Sequence, residues 1–179
     1  FLPNVMTYRA LASLKLDDPM LKQQLDSNVN GALQRLYAQQ KVDGGWGWFV
    51  QDDSDPLTTA YALIGLSEAK AQGFNVDDTV LSKARDFLRT TFITPGLNIE
   101  TWKLNRQAFI LYALARSGSP DVARTTTLYD SRDRLAYYAK GFLAMAFHAI
   151  NPKDTSRTDV LLSDLVNGAA ISATGAHWN

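Results

Sequence analysis

The sequence predicts an all-α fold that is built from helical hairpins. Apolar residues recur at spacings of three and four along most of its 179 residues, as on the buried face of a helix. The pairs Asp18-Pro19 and Asp55-Pro56 are typical of helix starts, because aspartate caps the first turn and proline fits its first position. No stretch alternates apolar and polar residues as a half-buried strand does. We therefore expect helices throughout and no strand.

The apolar periodicity defines the helices in order. The clearest run predicts a long helix after Asp18 and consists of Leu21, Leu25, Val29, Ala32, Leu33 and Leu36. A second apolar segment follows Asp55 and ends at Gly73, since glycine is favoured just past a helix C-terminus. Further helices are predicted at about 77–91, 103–117, 120–129, 133–150 and 155–170.

The helices come in pairs, and the pairs repeat. The pattern Ala10, Leu11, Leu14, Ala32 and Leu36 recurs as Ala62, Leu63, Leu66, Ala84 and Leu88, with looser copies at Leu111 and Leu114 and at Leu143 and Ala146. A helix pair of this kind cannot bury its apolar face without a neighbour, so the pairs must stack. The repeat predicts about four helical hairpins in an antiparallel solenoid or a ring.

Composition excludes several classes of protein. The 18 basic and 18 acidic side chains give a net charge of zero, which argues against a nucleic-acid partner. No apolar run approaches the roughly 20 residues that a membrane-spanning helix needs. The absence of cysteine excludes disulfides, thiolate zinc sites and cysteine nucleophiles within these residues. No secretory signal is visible. The chain begins without methionine, from which we expect it to be a piece of a longer protein.

A glycine-rich loop between the first two hairpins favours the ring. Gly44, Gly45, Trp46, Gly47 and Trp48 follow glutamines at a helix end, and this layout resembles the glutamine–tryptophan repeats of terpene cyclases. Glycines permit a tight path and the indole rings give the turn something to pack. We interpret these five residues as a structural loop rather than a ligand platform. The fold we expect is therefore an incomplete α/α toroid.

No catalytic, cofactor-binding or metal-binding residue is predicted. The segment Asp52-Asp53-Ser54-Asp55 fits neither the D-D-x-x-D nor the D-x-D-D pattern of terpene cyclases, and helix capping explains it better, as it does Asp17-Asp18 and Asp77-Asp78. Two glutamates give no obvious pair for glycoside hydrolysis.

The remaining polar residues give no stronger case. His148 and His177 lack the spacing of a metal site and fit a helix end or a surface position. Arg132-Asp133-Arg134 is interpreted as an ion-paired helix start, and docking to another domain stays open.

Several segments resemble one family, the bacterial alpha-2-macroglobulins, and specifically their thioester domain. The most specific resemblance covers the glycine-tryptophan loop and the helix start Leu57-Thr58-Thr59-Ala60-Tyr61. The weaker ones are Phe1-Leu2-Pro3-Asn4-Val5, Arg132-Asp133-Arg134-Leu135 with Tyr138, and Ala176-His177-Trp178. The resemblance spans essentially the whole chain and is weakest between about 80 and 122.

The resemblance implies a protease trap. In that family a protease cuts a bait region, the molecule changes shape, and an exposed cysteine–glutamine thioester acylates an amine of the attacker. The thioester domain is an α/α toroid of six hairpins, and bacterial members are generally periplasmic or anchored in the cell envelope. Residues 1–179 would then be a partial thioester domain that lacks the Cys-x-Glu-Gln motif.

In this interpretation the chain is a scaffold and not an enzyme, and it needs no cofactor. Its partners would be target proteases, through the intact protein, and neighbouring domains of the same chain. An incomplete ring also predicts self-association of the fragment. Two alternatives stay open: a truncated terpene-cyclase-like or polysaccharide-acting toroid enzyme, and a helical-repeat binding scaffold.

Overall fold

The computed structural model describes residues 1–178, and the chain packs as two compact units, Phe1–Thr91 and Phe92–Asn179. The first unit contains α1 (Leu2–Leu14), α2 (Pro19–Gln39), α3 (Pro56–Ala71) and α4 (Asp78–Thr90). The second unit contains α5 (Thr101–Arg116), α6 (Val122–Asp130), a 3-10 turn (Arg132–Arg134), α7 (Tyr137–Ile150), α8 (Ser156–Asn167), β1 (Ala170–Ser172) and β2 (Gly175–His177). The predicted all-α class is confirmed, and successive helices pack in four pairs.

Helix starts in the first unit follow the predicted caps. The carboxylate of Asp18 accepts a hydrogen bond from the backbone N–H of Leu21 at 3.0 Å, and that of Asp55 accepts one from Thr58 at 2.7 Å. Asp77 caps α4 in the same way through the N–H of Thr79. Each cap satisfies a donor that the first helical turn leaves free. The capping interpretation of these aspartates is therefore confirmed.

Burial in the first unit is concentrated in α3. This helix contains eight buried residues, whereas the longer α2 contains four. Because α1 and α4 both pack against α3, it has neighbours on two sides. The stop at Gly73 is also as predicted, since its backbone has the left-handed φ of 90° that glycine adopts without strain.

The second unit is organised around α5, which contains ten buried residues and packs against both α6 and α7. Its core consists of Leu104, Ala108, Leu111, Leu128, Leu135, Ala139, Leu143, Ala144, Phe147 and Leu161. The seventh helix begins at Tyr137 and not at 133 as predicted. The physical reason is that Arg132–Arg134 form a separate 3-10 turn, and the side chain of Asn105 on α5 accepts the N–H of Ala136 at 2.9 Å.

A small sheet at the end of the chain corrects one prediction. β1 and β2 pair antiparallel, with Ala170 opposite His177 and Ile171 opposite Ala176, so the expectation of no strand is wrong. Both strands are exposed on both faces, so they lack the alternation of buried and exposed residues that marks a strand in a sequence. The preceding helix accordingly ends at Asn167 rather than near 170.

None of the helices within residues 1–178 combines the length and the apolar character that crossing a membrane requires.

Candidate functional site

The glycine-tryptophan loop, residues 40–55, connects α2 with α3 and lies entirely in the first unit. It is the segment in which the sequence places its five predicted structural residues. Its backbone folds back on itself, because the N–H of Lys41 donates to the carbonyl of Gly45 and the N–H of Gly44 donates to that of Lys41, both at 2.9 Å. The loop is therefore an ordered turn with its own hydrogen bonds.

Trp46 is the buried anchor of the loop, with 3% of its surface exposed. Its indole N–H donates to the carbonyl of Leu36 in α2 at 2.9 Å, and its backbone N–H donates to the hydroxyl of Thr59 in α3 at 3.0 Å. Its carbonyl accepts the N–H of Asp55 at 2.9 Å. All three polar groups of the residue thus have partners, as burial requires, and together they join the ends of two helices.

Gln40 joins the loop to a third helix. Its side-chain amide donates to the carbonyl of Gly44 at 3.0 Å and to that of Val80, in the first turn of α4, at 2.9 Å. A primary amide has two N–H donors, and here one is used within the loop and the other across to α4. Gln40 therefore holds the first turn of α4 beside the turn that Gly44 makes.

Gly44 and Gly47 occupy positions that accept no side chain. Gly44 has a φ of 92°, and a Cβ atom there would lie 2.3 Å from the carbonyl oxygen of Lys83 in α4. At Gly47 a Cβ atom would lie 2.7 Å from the carbonyl oxygen of Asp53. Both distances are far below van der Waals contact and both involve backbone atoms. Glycine at these positions lets the loop backbone approach its neighbours closely.

Polar side chains close the base of the loop. One carboxylate oxygen of Asp43 accepts the N–H of Gly45 at 3.0 Å and the hydroxyl of Ser54 at 2.7 Å. The ammonium of Lys41 donates to the carbonyl of Val50 at 2.9 Å. These hydrogen bonds connect the first and second halves of the loop below its tip.

The tip itself is apolar and exposed. Trp48 is 78% exposed, and Phe49 and Val50 are exposed beside it. The N–H of Phe49 donates to the carboxylate of Asp52 at 3.1 Å, which fixes the turn behind the tip. Trp46 and Trp48 therefore differ in environment, one being a buried anchor and the other a surface residue.

The other residues considered from the sequence lie apart from this loop. His148 is exposed in the last turn of α7, and His177 is exposed in β2. Arg134 of the Arg132-Asp133-Arg134 run donates to the carbonyl oxygens of Gly96 (2.8 Å) and Ile99, so its guanidinium is used on a backbone segment. In residues 1–178 no three His, Cys, Asp or Glu side chains converge as metal ligands do.

The resolved pKa shifts belong to exposed carboxylates outside the loop. A hydrogen bond from Lys70 lowers the pKa of Asp78, a hydrogen bond from Lys103 lowers that of Glu100, and hydrogen bonds from Ser156 lower that of Asp154. Such shifts are those of ordinary surface pairs. They do not mark a cleft with an activated acid or base.

Two loop contacts were missed in the sequence. Thr59 lies within the family-like segment, but its pattern does not predict a contact with the loop. In the structure its hydroxyl accepts a hydrogen bond from the backbone N–H of Trp46. The use of Gln40 on α4 could not be read from spacing, because Val80 is 40 positions away. The only sequence signal for this contact was the presence of a glutamine at the end of a helix.

Sequence comparisons find several relatives called alpha-2-macroglobulin, of which two are described here. The Thermotoga maritima protein is 37% identical over 65 residues, which cover 36% of this chain and 4% of that protein. The Xylella fastidiosa protein is 30% identical over 141 residues, which cover 69% of this chain and 8% of that protein. A drimenyl diphosphate synthase of Streptantibioticus cattleyicolor is 37% identical over 70 residues, covering 39% of this chain and 12% of that protein. No protein-family model matches the chain.

The fold is similar to solved structures of bacterial alpha-2-macroglobulins. Salmonella alpha-2-macroglobulin reacted with methylamine superimposes with a TM-score of 0.73 at 19% identity, over 97% of this chain and 12% of that one. Trypsin-activated alpha-2-macroglobulin from Escherichia coli gives a TM-score of 0.71 at 20% identity, over 93% of this chain and 12% of that one. This likeness agrees with the incomplete α/α toroid predicted from the sequence.

The chain spans only a small part, between 4% and 12%, of the three curated relatives described above. Two of those three relatives carry the same family name, and the solved structures add a shared fold over nearly all of the chain. By sequence and fold together, the chain belongs to the bacterial alpha-2-macroglobulin family.

Proposed function

We propose that the chain is part of the thioester domain of a bacterial alpha-2-macroglobulin, a broad-spectrum inhibitor that traps proteases. The observation that carries the proposal is the likeness over 97% of the chain to an alpha-2-macroglobulin that has been reacted with methylamine. A protein that reacts with a small amine has an electrophilic group, and an acyl thioester is such a group. Structures of relatives activated by trypsin and by porcine elastase support proteases as the targets.

In this proposal the chain surrounds the thioester and contributes no catalytic residue. Residues 1–179 are a partial thioester domain, and the cysteine of the reactive group lies elsewhere in the protein, since these residues contain none. The full protein would bind its protease covalently, through a bond between the thioester acyl group and a lysine amine of the protease. It would act in the periplasm or the cell envelope. Neighbouring domains of the same chain would be the other partners.

The glycine-tryptophan loop would be a structural part of this domain. Gly44, Gly45, Trp46, Gly47 and Trp48 lie between the first two helical hairpins, and Trp46 bonds to both α2 and α3. The contact of Gln40 with α4 adds a third helix. These bonds support a role in holding hairpin ends together rather than in binding a ligand.

Treatment of the full-length protein with methylamine tests the proposal. We expect the amine to open the thioester, release one titratable thiol per chain and abolish covalent capture of trypsin, as seen by loss of the high-mass band on a denaturing gel. A full-length variant with alanine in place of the cysteine of the Cys-x-Glu-Gln motif is the control, and it should release no thiol. Undiminished covalent capture after methylamine treatment, or a gene without that motif, would overturn the proposal.

A terpene-cyclase-like enzyme is the second candidate, because the drimenyl diphosphate synthase also matches part of the chain. It would need carboxylates at its reaction centre. Asp52 already accepts the N–H of Phe49, and Asp53 is exposed beside it. If the full protein converts a prenyl diphosphate, Asp52→Asn and Asp53→Asn should abolish turnover. The third candidate, a helical-repeat scaffold, predicts neither thiol release nor turnover.

A further inference from the structure

Two arginines converge on a pair of aromatic rings in the second unit. We call Tyr129, Arg132, Phe147 and Arg157 the arginine–aromatic cluster. The rings of Tyr129 and Phe147 meet edge to face with centroids 5.7 Å apart. The guanidinium of Arg132 lies 4.6 Å from the centroid of Tyr129, and that of Arg157 lies 5.8 Å from the same centroid and 5.4 Å from that of Phe147. The cluster joins α6, the 3-10 turn, α7 and α8.

Neither guanidinium has a carboxylate within ion-pair distance among the described residues. Within residues 1–178, no Asp or Glu oxygen lies within 4.0 Å of a nitrogen of Arg132 or Arg157. Arg132 makes one long hydrogen bond, 3.4 Å, to the carbonyl of Tyr129, and Arg157 makes none. Asp154 lies near enough to Arg157 for the guanidinium charge to contribute to the lowering of its pKa, although less than the hydrogen bonds from Ser156 do. One of its oxygens accepts the hydroxyl of Ser156 at 2.7 Å and the backbone N–H of Ser156 at 3.2 Å.

The cation–π contacts explain why the two guanidinium groups lie against the rings, but the rings do not neutralise the two positive charges. Each such contact contributes roughly 0.5–1 kcal/mol when exposed. Two positive groups that share one ring repel each other, and each guanidinium has five N–H donors of which almost all lack a protein acceptor here. A bound anion would relieve the repulsion and accept those donors.

Two buried polar atoms in the same region also lack partners. The Nε of Arg132 and the hydroxyl of Thr158, which follows Arg157 in α8, are both buried without a hydrogen bond. A buried polar group without a partner costs about 1–3 kcal/mol, so folded proteins rarely leave one unless something else binds there. The first of these atoms belongs to the cluster itself and the second to the residue beside Arg157, so the cluster still has a buried donor, the Nε of Arg132, without an acceptor.

We propose that the arginine–aromatic cluster is an oxyanion-binding site, with a carboxylate or phosphate group as its ligand. In this site the terminal nitrogens of Arg132 and Arg157 would donate to the anion, while their guanidinium carbons lie over the rings of Tyr129 and Phe147. Paired guanidinium groups with aromatic support recognise planar or tetrahedral oxyanions better than lysines do, because their N–H groups are fixed in a fork. The inference rests only on residues of the second unit and does not depend on the proposed function.

Titration calorimetry of the 179-residue chain at constant ionic strength tests this. The probes are inorganic phosphate and a blocked Asp-Glu dipeptide, which separate a free oxyanion from a side-chain carboxylate. We expect at least one probe to bind with one site per chain and to raise the melting temperature. Arg132→Gln and Arg157→Gln should each weaken that binding about tenfold or more, because each removes a charged donor.

Arg35→Gln is the matched control, because Arg35 is an exposed arginine of α2 outside the cluster. It removes the same charge and should leave the affinity unchanged. Arg157→Lys keeps the charge and should retain part of the binding, which separates anion binding from a packing role if Arg157→Gln lowers stability. Binding of neither probe, or equal losses in the Arg35 and cluster variants, would overturn the proposal.

Discussion

Gly44 and Gly73 have nearly the same backbone conformation in very different surroundings. Their φ angles are 92° and 90°, both in the left-handed region that costs other residues about 1–2 kcal/mol. A Cβ atom on Gly73 would meet nothing within 4 Å, whereas one on Gly44 would meet the carbonyl of Lys83 at 2.3 Å. The pair therefore separates the cost of the backbone angle from the cost of close approach.

We expect Gly44→Ala to lower the free energy of unfolding more than Gly73→Ala. The Gly73 variant should lose about 1 kcal/mol from backbone strain. The Gly44 variant should lose a further 1–3 kcal/mol or so, because α4 must move away from the loop. Urea unfolding monitored by circular dichroism measures both. Equal losses would mean that the contact between Gly44 and Lys83 does not constrain the loop.

At the scale of the elements, helix ends explain both what the sequence predicted and what it did not. The starts after Asp18, Asp55 and Asp77 were predictable because each cap is made within three residues of the helix. The start of α7 was not, because α7 has no side-chain cap of its own and the residue before it, Ala136, is held by the side chain of Asn105, 31 positions earlier. The strands β1 and β2 were not predicted because both of their faces are exposed, so their sequences do not alternate between apolar and polar residues.

The loop shows the same division between local and distant contacts. Its glycines and Trp46 stand out in the sequence because the turn itself requires them. The contact from Gln40 to Val80 and the packing of Gly44 on Lys83 depend on where α4 lies. The residues of the arginine–aromatic cluster lie in four separate elements, so no local sequence pattern predicts it.

The ion pair between Lys70, at the end of α3, and Asp78, at the start of α4, is a testable link between two elements. Its hydrogen bond is the main reason that the pKa of Asp78 is lowered. A lowered carboxylate pKa adds stability above the unfolded pKa, and this contribution is lost as the pH falls through the folded pKa. We expect Lys70→Gln to raise the pKa of Asp78 toward its ordinary value.

Carbon-detected NMR titration of the side-chain carboxyls measures this shift. Glu100 is the internal control, because the hydrogen bond that most lowers its pKa comes from Lys103 in a different hairpin. Its pKa should stay the same in the Lys70→Gln variant. An unchanged pKa at Asp78 would show that the ion pair does not persist in solution, as is common for exposed pairs.

At the scale of the whole molecule, apolar surface is left open on α8. Leu161 is buried, but Leu162 and Val166 are exposed one turn apart on the same face of the helix. Helical repeats normally cover such faces with the next repeat. In the separate chain of 179 residues, this part of α8 is therefore apolar surface that the described residues leave largely exposed.

We expect this chain to self-associate. Its weight-average mass in static light scattering should rise with concentration, and Leu162→Gln combined with Val166→Gln should reduce that rise without lowering the melting temperature. Leu161→Gln is the contrasting change, since it buries a polar group and should lower the melting temperature instead. A stable monomer at every concentration would contradict the expectation.

The distribution of burial also sets an order in which the chain opens. In α5 seven of the eight residues from Leu104 to Leu111 are buried, whereas α6 contains two buried residues and α8 one. We expect amide hydrogens in the buried middle of α5 to exchange mainly when the second unit unfolds as a whole, and those of α6 and α8 to exchange through local fraying. In deuterium-exchange mass spectrometry, peptides from α5 should therefore be the slowest of this unit, and their rate reports its global stability.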